Sequence, residues 1–159
     1  MAHFSIVELT SHRYEPYDWM DGLALIDNDV VNYYTDYVQD ITEKERKDYL
    51  TWLPHFFAGI ADVDIEKLEV TFKSKDEIEK TLESYYREVM EMIEKDWCDA
   101  EMSVSSKFYH LRCYGRKYKD SDMLIHFDGS TYTSMQFIED AVDHAGETLY
   151  IGGIVDAHV

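Results

Sequence analysis

The chain of 159 residues is 45% hydrophobic and 14% aromatic, which supplies a core of its own and argues against a disordered, charge-dominated polymer. Thirty-three acids against fifteen bases leave a net charge of −18, where roughly 2 to 8 suffices to keep a small domain in solution. Such a field repels nucleic acid and anionic membranes, so it speaks against direct contact with either and for basic protein partners, above all those whose groove normally holds DNA or RNA.

The first element is a strand over His3 to Leu9, HFSIVEL, short and β-branched. Residues 11–25, with Pro16, Gly22, Tyr14, Tyr17 and Trp19, read as a loop that packs aromatics. From about Asn28 the pattern predicts a helix. At 100° per residue Val30, Val31, Tyr34, Tyr37, Val38 and Ile41 share one side, and Asp29, Asp36 and Asp40 form a band opposite. Thr42 and Glu45 make a capping box, so a second helix begins there and runs to about Leu53, with Pro54 ending or kinking it. HFFAGI adds a further helical turn before an acidic loop, ADVDIE. KLEVTFK, residues 67–73, alternates Leu68, Val70 and Phe72 with polar partners and predicts a half-buried strand.

Ser74 and Glu77 form a second capping box, followed by a long amphipathic helix of about 24 residues with Ile78, Leu82, Tyr85, Val89, Met92, Ile93 and Trp97 as its apolar seam. Asp76/Lys80, Glu83/Arg87 and Glu91/Lys95 are spaced for supporting i,i+4 ion pairs, which leaves Glu88, Glu94 and Asp99 for other work. Ser103 to Tyr114 and Met123 to Phe127 read as two strands of a hairpin joined by the basic turn GRKYKDSD. A short helix from Ser134 to His144 follows, with Gly146 at its C-terminal end, and TLYIGGIVDAHV closes as a strand whose Gly152-Gly153 pair marks a bulge or a close backbone approach. The order β-α-α-β-α-β-β-α-β predicts one α+β domain over residues 1–159, an antiparallel or mixed sheet of about five strands packed by about four helices.

Charge is uneven along the chain. Residues 1–60 carry 11 acids and 4 bases, 61–101 carry 14 and 6, and 102–159 carry 8 and 5, so the excess falls from −7 and −8 to −3. Between Arg13 and Lys44 lie thirty residues without a lysine or arginine, and that stretch holds Glu15, Asp18, Asp21, Asp27, Asp29, Asp36, Asp40 and Glu43. On a helix Asp29, Asp36 and Asp40 would lie about 10 and about 6 Å apart, on the scale of successive phosphates, so the row could stand in for a nucleic-acid backbone. Tyr33, beside that band, could grip an arginine by stacking. These nine residues are the candidate partner-binding set.

Enzymatic signals are weak by comparison. His126 and Asp128 lie two apart on one predicted strand, and His110 could face them across the hairpin, but no HExxH, CxxC or helical His pair accompanies them. Cys98 and Cys113 read as small buried hydrophobes in a reducing compartment. No cofactor or metal is expected. No apolar run approaches the roughly 20 residues that cross a bilayer, and no basic-then-apolar leader opens the sequence, so a cytoplasmic protein is expected, in the host cytoplasm if phage-encoded.

The expected function is therefore a non-catalytic acidic inhibitor of a basic nucleic-acid-handling protein, comparable in charge and size with the DNA-mimic inhibitors of restriction or CRISPR nucleases carried by phages and plasmids. No family motif carries that comparison. An immunity protein or antitoxin against a cationic toxin has the same electrostatics, and a small enzyme built on His110, His126 and Asp128 is the catalytic alternative. A homodimer is compatible with either binding role.

Overall fold

A computed structural model describes residues 3–13, 37–117 and 123–158. Among these the chain is α+β, as its element order predicts, with four α-helices and a mixed sheet of seven strands. The strands are β1 (His3–Thr10), β2 (Tyr37–Asp40), β3 (Ala61–Asp64), β4 (Glu69–Phe72), β5 (Met123–Phe127), β6 (Ser130–Thr133) and β7 (Thr148–His158). The helices are α1 (Glu43–Phe56), α2 (Lys75–Cys98), α3 (Val104–Lys117) and α4 (Ser134–Glu139), the last continuing as a 3-10 turn over Asp140–His144.

The sheet runs β3-β4-β7-β1-β5-β6, and β7 is its spine. One edge of β7 pairs antiparallel with β1 along nearly its whole length, while the other is shared, β4 taking Thr148–Tyr150 and β2 taking Val155–His158. β1 and β5 form the parallel pair among the described strands.

Val7, Leu9, Ile125, Leu149, Ile151 and Ile154 project from one face into the main core. Against them pack Leu53 and Phe56 of α1, Phe57, Ile78 of α2, and Phe137 and Ile138 of α4. The other face carries a smaller apolar cluster of Ile6, Val155 and Ala157, with Phe4, Val38 and Leu124 partly buried around it.

Both capping boxes form. The Thr42 side chain accepts from the Glu45 amide while Glu45 returns to the Thr42 amide, and Ser74 and Glu77 form the same reciprocal box at α2. α2 runs the expected 24 residues. Pro54 does not end α1 but stands inside its last turn, and the chain reverses just beyond at Gly59, whose φ of +83° is natural to glycine.

Four expectations are corrected. Tyr37–Asp40 is a strand, not the end of a helix: its backbone pairs with β7, and Val38 packs on Ile6 and Val155, a gain that outweighs the helical phase of so short a segment. ADVDIE is not simply a loop, because Ala61–Asp64 pairs with β4, Ala61 is buried, and Asp62 and Asp64 reach Lys73 and Lys67.

Ser103–Tyr114 is helical. The Ser103 hydroxyl accepts from the Ser106 amide at 3.2 Å in the manner of an N-cap, and α3 turns back to pack on α2. With no strand there, β5 forms its hairpin with β6 instead. The two-residue turn is Asp128-Gly129, with φ of +49° and +74°, the left-handed geometry that suits the twist of a tight hairpin.

Candidate functional site

Of the nine partner-binding candidates, Glu15, Asp18, Asp21, Asp27, Asp29, Tyr33 and Asp36 lie outside the described residues. Asp40 ends β2, where its Oδ1 accepts from the Ile41 amide at 3.1 Å, so it cannot continue a helical row with Asp29 and Asp36. Glu43 opens α1 and lies 3.4 Å from Lys47, with both side chains in solvent. At that exposure the pair contributes little to stability and leaves the Glu43 charge available at the surface.

An apolar surface that the sequence reading assigned partly to the core stands on α2 and α3. Tyr86, Met90 and Trp97 are exposed, Met90 by 63% and Trp97 by 56%. Their spacing of four and seven residues places them within about 40° of one another on a helix, in a stripe beside the buried seam of Ile78, Tyr85 and Val89. Trp97 thus leaves the seam the sequence placed it in.

α3 repeats the arrangement. Val104, Phe108 and Leu111 recur at four and three residues and are exposed, with Tyr109 beside them. Phe108 meets the Trp97 ring edge-on, with centroids 6.2 Å apart. Polar contacts among the described residues join the two helices. His110 Nδ1 lies 2.7 Å from Asp96 Oδ2, and Lys107 Nζ donates to the Trp97 carbonyl at 2.6 Å while lying over its ring.

Glu83 and Glu94 are exposed and lie within about 80° of every residue of the α2 stripe, whereas Glu88 falls on the opposite side of the helix; Glu91, Asp99 and Glu101 are exposed as well. The anticipated pairs Asp76/Lys80, Glu83/Arg87 and Glu91/Lys95 do not close. Instead Lys75 and Glu79 approach to 3.6 Å, with the base first. Cys98 at the end of α2 is exposed rather than buried, and Cys113 is half-buried.

The three residues of the catalytic alternative do not converge. His110 belongs to the α2–α3 hairpin, whereas His126 and Asp128 line a cleft of about 470 Å³ with Glu8, Thr10 and His12. His126 is 5% exposed and its Nδ1 lies 3.0 Å from Thr131 Oγ1 on β6. Burial holds its pKa below the ordinary histidine value, partly opposed by the Glu8 carboxylate.

Glu8 and His126 are register partners on the parallel strands. The Glu8 Oε2 accepts from the Gly153 amide at 3.0 Å, and the Gly152 carbonyl accepts from Arg46 Nη2 of α1 at 3.0 Å. Glu8 and Arg46 thus satisfy the two bulged glycines from opposite faces, where the ladder shifts register between Val7 and Leu9. Among the described residues no group of three His, Cys, Asp or Glu is placed to hold a metal ion, and no helix is long and apolar enough to cross a membrane.

No protein-family model, curated protein or solved structure matches the chain.

Proposed function

We propose that the protein is a non-catalytic acidic inhibitor that grips a basic nucleic-acid-handling protein and blocks its nucleic-acid-binding surface. The observation that carries the reading is the α2–α3 hairpin, which exposes Tyr86, Met90, Trp97, Phe108 and Leu111 with the acids Glu83 and Glu94 beside the stripe on α2. An apolar centre with a charged rim is the anatomy of a protein interface, and large exposed apolar patches mark such sites on otherwise water-soluble surfaces. Trp and Tyr are the residue types that most often dominate binding energy. The charge of −18, to which the stretch from Glu15 to Glu43 contributes eight acids, selects the partner's sign and speeds encounter.

The test is affinity capture at moderate salt, identification of what is held, and assay of that partner on its nucleic acid. A basic nuclease or other nucleic-acid-binding protein should be retained, and its binding to DNA or RNA should fall as this protein is added. Capture should weaken steeply between about 0.05 and about 0.5 M salt, a range over which the screening length falls through about 10 Å, its value at about 0.1 M. Replacing Trp97 and Phe108 by Ser should reduce capture at least tenfold without unfolding the chain. Salt-independent capture, capture that survives the double substitution, or direct sub-micromolar binding of nucleic acid by the isolated protein overturns the reading.

A further inference from the structure

We propose that the cleft at the carboxyl ends of β1 and β5 is a binding site for a small organic cation, an aliphatic diamine whose two ammonium groups are taken separately, one by Glu8 beside His126 and the other by Asp128.

The topology creates the opening. Beyond Thr10 the chain runs toward β4, where Arg13 donates to the Lys67 carbonyl and pairs with Glu69, two strands from β1 in the sheet. Beyond Phe127 the neighbouring β5 turns the opposite way at Asp128-Gly129 and pairs with β6. Two adjacent parallel strands whose continuations part in opposite directions leave a crevice at their carboxyl ends, the place where open sheets bind ligands. Its volume of about 470 Å³ suits a small molecule.

The lining specifies the chemistry. Among the described residues that line the cleft, Glu8 and Asp128 bring two carboxylates and none is a lysine or arginine, a lining that favours a cation over an anion. Buried His126 engages Thr131 through Nδ1, and its Nε2 has no partner among the described residues, which leaves an imidazole nitrogen for a ligand's N–H. These donors are not gathered tightly enough to enclose a metal ion, and a chain-like amine can span groups so dispersed. Gly152 deepens the arrangement, because its missing side chain is what lets the Glu8 carboxyl lie against β7 and hold the Gly153 amide. Glu8 is thereby fixed before any ligand arrives, which lowers the ordering cost of binding.

The site is independent of the partner surface and is tested separately. Titrating the protein with putrescine at 0.15 M salt, while following the seven histidines by long-range proton–nitrogen NMR, should move the His126 resonance saturably. The uncharged isostere 1,4-butanediol should leave it in place. Asp128→Asn alters an exposed turn residue and should weaken putrescine binding at least fivefold. Glu8→Gln should abolish it, with circular dichroism confirming the fold, and if that variant does not fold the Asp128 variant alone decides. A doubly neutralised hairpin, Glu88→Gln with Glu94→Gln, should bind within twofold of the parent. Loss of the His126 response, an equal response to butanediol, or equal weakening by the hairpin variant means that amines only coat an acidic surface, and the proposal fails.

Discussion

Glu8 occupies the space that a side chain at Gly152 would need: a Cβ there would press on the Glu8 carboxyl and on its Cγ at 3.2 Å. Since that carboxylate also accepts the Gly153 amide, Gly152→Ala must expel it and break the bond. We expect a loss of about 1 to 3 kcal/mol, the usual range for overpacking. In a Glu8→Ala background the same change should cost much less, and denaturant unfolding of the four chains measures the coupling. Additive costs would show that the two residues do not compete for one space.

His126 sets a pH dependence. Burial lowers its folded-state pKa, so the unfolded chain takes up this proton more readily than the folded one. Above the ordinary value of about 6.5 both forms are neutral and no penalty exists; as pH falls below it, stability is lost until the folded imidazole also titrates. Acidification also relieves repulsion among the carboxylates, so the quantity to follow is the difference between the parent and His126→Gln. The Tm advantage of the parent at pH 7.5 should shrink progressively toward pH 5.5, and parallel curves would refute the assignment.

The α2–α3 hairpin should be separable from the sheet in stability. His110→Ala removes a half-exposed contact to Asp96 and should cost about 1 kcal/mol, near the net value of one hydrogen bond. The effect should be local: amide exchange in α3 should accelerate while β1 and β7 amides keep their protection. Equal acceleration in the sheet would show the hairpin to be part of the global folding unit.

Gly59 joins α1 to β3 at φ +83°, and a Cβ there would stand 2.8 Å from the Thr81 methyl. Thr81 also donates to the Gly59 carbonyl at 2.9 Å, so the methyl cannot simply swing away. Gly59→Ala should therefore cost at least about 1 to 2 kcal/mol from backbone strain alone. In a chain this size that corresponds to a fall in Tm of several degrees, about 2 to 4 °C per kcal/mol, read by calorimetry.

What could be read in advance was what local chemistry decides. Thr42 with Glu45 and Ser74 with Glu77 announce two helix starts, and Gly152-Gly153 announces the bulge, because caps and glycine geometry act within a few residues. Asp128-Gly129 is an equally local hairpin signal, and its left-handed pair closes β5 on β6 in place of the longer basic turn GRKYKDSD. Ser103 with Ser106 offered a weaker N-cap for α3.

Other features needed partners from far along the chain. Tyr37–Asp40 becomes a strand because β7 is beside it, 115 to 121 residues later, and no periodicity within 28–41 contains that fact. The cleft likewise depends on β1 and β5 being neighbours, so Glu8 could not be joined to His126 from sequence. The exposed hairpin stripe was visible as apolar residues, but whether Trp97 faces the core or water is decided by where α3 crosses α2.

β7 holds β1, β2 and β4 in one sheet, yet every one of those strands precedes it in the chain. During synthesis the ribosome therefore delivers its partners first, and until Thr148–His158 emerges β1 and β4 have no common neighbour and expose their pairing edges. Folding is held back to a late, long-range closure, the slow kind, and the nascent chain depends on its own like charges to keep those unfinished edges from meeting another molecule.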